Sequence, residues 1–312
     1  GVMVQQNRTT GIITAIKVFA NSPAFEAGML PGDILYQVDG EAVTGKDLDL
    51  VVKENIRGEE GTYVDITVLR GENAEETPLH VERRSIEVPT VEYQMLENQV
   101  GYIYVTQFDE VTAKQFEDAI DDLEGQGMEK LVIDLRNNPG GVLDTAVEML
   151  AYVLPEDKLD GMLVYTADKN GEGDRYFCKD GKIQRESDDG SRDSRYPKED
   201  DHELDVPLAV LVNGNSASAS EVFTGAVMDY DAGIVVGTTT FGKGIVQNLI
   251  PLGDGTAIKL TTAHYYTPNG FDLHGKGLEP DVVVEMDEEL QKKAVVELSE
   301  DNQLQAAIEA MN

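Results

Sequence analysis

Polar and apolar side chains alternate through residues 63–68, with Val64, Ile66 and Val68 in one phase, which predicts a half-buried strand. Residues 11–18 and 34–38 read as two more strands, and Asp39-Gly40 after the second is a tight-turn signal. Between them, Ser22-Pro23-Ala24-Phe25-Glu26-Ala27-Gly28 carries a capping serine and a closing glycine and predicts one short helical turn. Leu48, Val51, Val52 and Ile56 recur at helical spacing and stop at Gly58. Together these elements mark a small β-rich module over residues 1–85.

Farther along, the pattern changes. Residues 86–98 hold Pro89 and no clear period, and predict a linker or a crossing strand. Residues 100–105 and 131–135 are strand-length apolar runs, with Phe116, Ile120 and Leu123 on one helical face between them. A helix over 141–154 and a strand over 207–212 follow, then a second helical face of Val222, Phe223, Ala226, Val227 and Tyr230. Strands alternating with helices imply a mixed α/β core over residues 99–312. Ile245, Val246, Leu249 and Ile250 suggest a further buried strand. Residues 168–205 interrupt the order with Asp, Glu, Lys, Arg and Gly, and predict a mobile surface insertion with a hairpin around Tyr176 and Phe177.

A chain of 312 residues favours two domains over one. Its 25 basic against 59 acidic residues argue against nucleic acid as a partner, because phosphate binding needs a basic face. The single Cys178 excludes an internal disulfide. His80, His202, His264 and His274 lack metal-ligand spacing and no phosphate loop follows a strand, so neither a metal nor a nucleotide cofactor is expected. The chain opens at Gly1 without a visible signal peptide, and we expect a piece of a longer, exported or anchored protein.

Two stretches carry the chemistry. Asn213-Gly214-Asn215-Ser216-Ala217-Ser218-Ala219-Ser220-Glu221 places serines at a helix N-terminus, where unpaired backbone N–H groups stabilise an oxyanion. Ser218 to Glu221 also fits a capping box, which most such serines serve. Thr240-Phe241-Gly242-Lys243-Gly244-Ile245-Val246-Gln247 shifts that balance, because its glycines leave Lys243 uncrowded and let another backbone approach. An ordinary lysine is a poor base near neutrality, and burial makes its free amine available. On a strand, positions 243, 245 and 247 share a face, so Gln247 is placed to orient the Lys243 amine. Gly140 and Gly141 end a strand and open a helix, which leaves their amides free.

At these residues the chain resembles the carboxyl-terminal processing, or tail-specific, proteases. The serine and lysine motifs match almost whole, as do Asp134-Leu135-Arg136-Asn137-Asn138-Pro139-Gly140-Gly141, Leu260-Thr261-Thr262-Ala263-His264-Tyr265-Tyr266-Thr267-Pro268 and His274-Gly275-Lys276-Gly277-Leu278-Glu279-Pro280-Asp281. Ser22 to Asp33 resembles a PDZ domain of the bacterial protease type. The resemblance implies Ser218 as nucleophile, Lys243 as general base and Gln247 as the residue orienting it. It implies an oxyanion hole of Ala219 N–H with a backbone N–H of Gly140-Gly141, and structural support from Asp229. Gly1-Val2-Met3 takes the place of the peptide-carboxylate loop, with Met3 where a second glycine is usual. His264 stands where the family has a basic or aromatic residue, which leaves a histidine-assisted site open. The implied fold is a small, β-barrel-like PDZ module followed by a crotonase-like layered core, and the implied substrates are protein or peptide C-termini. A catalytically inactive PDZ binding protein and a crotonase-type acyl-transfer enzyme are the alternatives.

Overall fold

A computed structural model describes residues 1–71, 73–154, 161–179, 182–195, 204–253, 255–293 and 296–312. The chain forms two compact units, Gly1–Pro89 and Thr90–Asn312.

The first unit is a six-stranded sheet with two short helices. Its elements are β1 (Val2–Gln6), β2 (Ile13–Val18), α1 (Pro23–Glu26), β3 (Ile34–Val38), β4 (Glu41–Ala42), α2 (Leu48–Leu50, continued by a π-helical stretch over Val51–Ile56), β5 (Tyr63–Arg70) and β6 (Glu75–Glu82). The order β1-β2-β3-β5-β6 leaves β1 at one edge, and β4 pairs with β3. Ser22 caps α1 by accepting the Phe25 N–H at 3.2 Å, and its hydroxyl donates to Gly1 O at 3.0 Å, fixing the start of β1. Ile13, Met29, Leu35, Val51, Ile66 and Val68 form a core of their own. Buried Asp33 accepts bonds from the Arg70 guanidinium at 2.6 and 2.8 Å and from the Leu30 N–H at 2.8 Å. Burial alone would raise the Asp33 carboxyl; the Arg70 and Leu30 bonds outweigh it and hold the group below its usual range.

The second unit is built on the sheet β18-β15-β14-β9-β8-β7. Its strands are β7 (Val91–Met95), β8 (Val100–Val105), β9 (Lys130–Asp134), β14 (Leu208–Val212), β15 (Ile234–Gly237) and β18 (Val282–Val283). All neighbours are parallel except β7 on β8. Helices α3 (Thr112–Gly125), α4 (Leu143–Val153) and α5 (Ala219–Asp229) contribute Phe116, Leu150 and Phe223 to the main core. After the short α6 (Glu288–Gln291), α7 (Asn302–Ala310) sets Leu304 and Ala307 in a separate cluster with Val132, Leu211 and Val236. Since successive residues of β9, β14 and β15 feed the two clusters alternately, the sheet is covered on both faces, which explains its unbroken apolar strands.

A second sheet has the order β13-β12-β11-β10-β17-β16. It comprises β10 (Met162–Ala167), β11 (Asp174–Lys179), β12 (Lys182–Ser187), β13 (Arg192–Arg195), β16 (Ile245–Pro251) and β17 (Ala257–Tyr266). Residues 86–98, expected as a linker or crossing strand, contain the strand β7 at the edge of the core sheet. Two regions differ from the sequence reading. The region 168–205, expected as a mobile insertion, carries β11, β12 and β13, and Tyr176 and Ile183 pack into the main core; residues 180, 181 and 196–203 lie outside the described ones. The strand expected to be buried at 245–250 is instead an exposed edge strand.

Beneath the sheet, Arg136 is buried between two carboxylates. Its guanidinium donates to Asp134 at 2.6 Å and to Asp301 at 2.7 Å, and its Nη1 to Gln303 Oε1 at 2.9 Å. Tyr102 donates its hydroxyl to Asp134 at 2.7 Å, and burial followed by the Asp134 charge raises that phenol far above its ordinary range. Among the described residues no helix is long and apolar enough to cross a membrane.

Candidate active site

Three loops leave the carboxyl ends of the adjacent parallel strands β9, β14 and β15, the position where open α/β sheets bind their ligands. The first contains Gly140 and Gly141, the second Ser218, the third Lys243. Each loop is tied to the next by backbone and buried side chains.

The serine loop turns sharply into α5. Ser218 has φ 57° and ψ −115°, a left-handed backbone that is strained for a residue with a Cβ. It resembles the strained strand-to-helix turn that exposes the nucleophile in α/β-hydrolases. The Ala219 N–H at the first turn of α5 has no acceptor among the described residues. Ser216 anchors the loop, its hydroxyl donating to Leu135 O at 2.7 Å and accepting the Asn213 N–H at 2.9 Å.

Against it lies the glycine turn. A Cβ at Gly140 would stand 2.5 Å from Ala217 O and 2.8 Å from both Ala219 N and Ser218 Cβ, so only glycine, at φ 92°, fits there. Asn138 holds the two turns together. Its backbone carbonyl accepts the Ala217 N–H and the Ser220 hydroxyl, both at 3.0 Å, and its Nδ2 donates to Val105 O at 2.8 Å. Its Oδ1 accepts the Gly140 N–H at 2.9 Å, whereas the Gly141 N–H has no acceptor among the described residues. A third tie is made by Asn137 Oδ1, which accepts from the side-chain amides of Asn213 at 3.1 Å and Asn215 at 2.9 Å.

Glu221 joins the serine and lysine loops. It is fully buried, and four donors converge on its carboxylate. Oε1 accepts the Thr240 hydroxyl at 2.6 Å and the Gly242 N–H at 2.7 Å; Oε2 accepts the Lys243 N–H at 2.8 Å and the Ser218 N–H at 2.9 Å. The capping pair visible in the sequence is thus half of a clamp whose other half is non-local. The glycines beside Lys243 do admit another backbone: a Cβ at Gly242 would meet Gly277 N at 2.9 Å. The Gly275 N–H donates to Gly242 O at 2.9 Å.

The remaining candidates are placed as follows. Lys243 is half-buried and precedes β16, and no hydrogen bond joins its amine to Ser218 or Gln247 among the described residues. The register of β16 with β17 shifts between Val246 and Gln247, the extra residue lying on β17, and the exposed Gln247 donates to Thr261 Oγ1 at 3.4 Å. Asp229, half-buried, accepts the Asn269 N–H at 2.7 Å and so holds the turn after β17. His264 lies opposite Ile245, with its ring edge-on to His274 at 4.9 Å. Tyr265, beside it, donates its N–H to Gly244 O at 3.0 Å, and burial, then the Asp144 charge, pushes its phenol up to about 12.

In the first unit, a groove of about 690 Å³ lies between Gly1, Val2 and Val4 of the β1 edge and Val52 and Ile56 of the π-helical stretch. Phe19 closes it near Gly1, whose carbonyl accepts the Phe19 N–H at 3.0 Å.

A serine on a strained turn, braced by a glycine turn and a lysine loop and borne on a layered α/β core, is the arrangement of a serine-hydrolase type of site; the first unit, taken by itself, has the groove and strand order of a PDZ domain. The family model "Peptidase family S41" matches residues 99–284, and "PDZ domain" matches residues 1–81. The chain belongs to peptidase family S41. It is 37% identical over 285 residues to a "Probable CtpA-like serine protease" of Staphylococcus aureus (strain bovine RF122 / ET3-1), covering 91% of this chain and 52% of the relative. A protein of the same description in Staphylococcus haemolyticus (strain JCSC1435) is 37% identical over 284 residues, with the same coverage. The chain thus spans about half the length of the curated relatives it matches. Among solved structures, a photosystem II D1 C-terminal processing protease is 28% identical with a TM-score of 0.50, covering 91% of this chain and 72% of that one. A putative S41 protease from Bacteroides fragilis NCTC 9343 shares the fold at a TM-score of 0.59 and 18% identity, covering 100% of this chain and 81% of that one.

Proposed function

We propose that this chain is the catalytic and PDZ portion of a serine endopeptidase that cleaves proteins near their C-termini through a Ser218-Lys243 dyad. Lys243, as the free amine, takes the Ser218 hydroxyl proton while Oγ bonds to the peptide carbonyl carbon. The oxyanion is held by the Ala219 and Gly141 N–H groups, which flank Ser218 and the glycine turn and have no acceptor among the described residues. The C–N bond then breaks as the lysine returns the proton to the leaving amine. Water resolves the acyl-enzyme with Lys243 again as base. On this reading Gln247 exchanges Thr261 for the Lys243 amine when substrate arrives, and Asp229 supports the site from the far end of α5.

The observation that carries the reading is the Glu221 carboxylate, which ties the strained Ser218 backbone directly to the backbone of Lys243. In the PDZ unit, a substrate tail would add to the β1 edge with its carboxylate at Gly1-Val2-Met3. Export completes the proposal, on the strength of the resemblance.

The test is covalent labelling. A fluorophosphonate should modify Ser218 in the wild-type chain, and Ser218→Ala should abolish both labelling and cleavage of unfolded test proteins. Lys243→Arg retains the charge without a usable base, and its turnover should fall to the Ser218→Ala level. Half of wild-type turnover in Lys243→Arg would refute the dyad. No labelling at all would instead leave a PDZ binding protein or a crotonase-type site.

A further inference from the structure

Most large exposed apolar residues of a monomeric protein are scattered, and a concentration of them marks a binding surface. Here Leu249, Ile250, Leu252, Ile258 and Leu260 are 43–70% exposed and all belong to the β16–β17 hairpin. Lys259 is the one charged side chain among the described residues of 244–262, in a chain whose formal net charge is −34. Among its described residues the hairpin therefore carries no acidic side chain.

The hairpin also offers an open backbone edge. β16 ends the second sheet and pairs on one side only, with β17, among the described residues. The Leu252 N–H donates to Thr256 O at 2.9 Å, which fixes the phase of the antiparallel ladder. In that phase Ile250–Ile258 and Asn248–Leu260 are the bonded pairs, and the N–H and C=O groups of Gln247 and Leu249 face outward. Pro251 falls on the same outward side, where its missing N–H costs no ladder bond. By the register, Ile250, Leu252, Ile258 and Leu260 share one face and Leu249 sits on the other. A strand added at this edge would find apolar side chains beneath alternate residues.

The geometry points to the β16 edge as a docking rail for the substrate polypeptide, which adds as an extended strand and is read for apolar residues at alternate positions. The inference rests on the peptidase reading above and extends it. Its occupant is argued from continuity: β16 begins two residues past Lys243, so an extended chain held along it leads to the reactive serine. At about 3.3 Å per residue, Gln247 and Leu249 lie roughly 13 and 20 Å along the strand from Lys243. They contact substrate about four to six residues from the cleaved bond.

The test uses the full chain and a quenched-fluorescent peptide with valine at alternate positions, more than three residues from the cleaved bond. Two N-methylated versions, one for each phase of alternate amides in that segment, remove hydrogen bonds on opposite edges of the bound strand. One phase should raise KM about tenfold and the other leave it within twofold, because only one edge faces Gln247 and Leu249. Leu249→Glu should raise KM about tenfold for the parent peptide with kcat within twofold, since the residue touches substrate remote from the reacting bond. Equal KM for both phases, with the wild-type chain cleaving the parent peptide, would overturn the rail while sparing the dyad. So would a Leu249→Glu enzyme with unchanged KM whose sedimentation shifts from dimer to monomer, which would assign the hairpin to a second copy. Failure of wild type both to cleave and to take a fluorophosphonate overturns the peptidase reading, and the rail with it.

Discussion

Replacing Glu221 by glutamine changes one atom type at the busiest buried group in the site. Two donors address each carboxylate oxygen: Thr240 and Gly242 at Oε1, Ser218 and Lys243 at Oε2. A glutamine presents an NH2 to one of these pairs, so two acceptor bonds are lost and donors face donors. Bonds to a charged acceptor contribute about 1.5–3 kcal/mol each, so the pair contributes about 3–6 kcal/mol. Full burial prevents water from replacing them. Glu221→Gln should therefore lower the urea midpoint of the second unit by the equivalent of about 3–6 kcal/mol. The same change releases either the Ser218 or the Lys243 backbone, so fluorophosphonate labelling of whatever remains folded should slow at least tenfold. Urea denaturation followed by circular dichroism, with labelling measured well below the midpoint, separates the two effects. A midpoint within about 0.5 kcal/mol of wild type and an unchanged labelling rate would show that the carboxylate clamps nothing.

Asp33 supplies a pH-dependent share of the first unit's stability. Its folded pKa is depressed, so the stabilisation is complete above the unfolded value near ~4 and is lost as pH falls through the lower folded value. Asp33→Asn should be less stable at pH 7 yet show a shallower acid decline, read by chemical denaturation from pH 7 to 2; parallel curves would rule out the linkage. Gly140→Ala puts a Cβ 2.8 Å from Ser218 Cβ at a positive φ, and labelling of Ser218 should fall at least a hundredfold while urea stability drops by about 1–3 kcal/mol. Arg136→Met leaves Asp134 and Asp301 buried without their cation and should cost about 3–5 kcal/mol, seen as a lower urea midpoint; a midpoint unchanged from wild type would contradict that account.

What the sequence made legible was local. The motifs around Ser218 and Lys243, the capped turn at Ser22 and the alternation of Val64, Ile66 and Val68 each sit within a few residues, and the fold preserves them. What escaped was non-local or disguised. The Val91, Tyr93 and Met95 alternation signals a strand, but Pro89, two residues before it, leaves a linker equally open. In β11 and β12 Tyr176 and Ile183 turn fully inward among charged neighbours, so the segment has a disordered composition although it folds. Leu249 and Ile250 are apolar for a surface, and composition alone assigns such residues to a core. Glu221 was explained locally as a capping partner, which hid its bonds to Gly242 and Lys243. Asn138 was legible only as one letter of a motif: one asparagine beside another in a loop shows nothing of a buried residue that spans two turns.

The Arg136 cluster sets an order of events during synthesis. Arg136 lies between the central strand β9 and the glycine turn, and two of its partners, Asp301 and Gln303, are made about 165 residues later. A ribosome adding about 5–20 residues per second leaves that guanidinium without Asp301 for on the order of ten seconds or more. Until α7 follows, the face of the sheet that it covers is open, exposing Val132, and Leu211 and Val236 once they are made, to any other nascent chain. The PDZ unit, whose contacts lie within the first 89 residues, carries no such delay. The peptidase core should therefore remain inert through most of its own translation and become competent only after residues 301–303 have emerged.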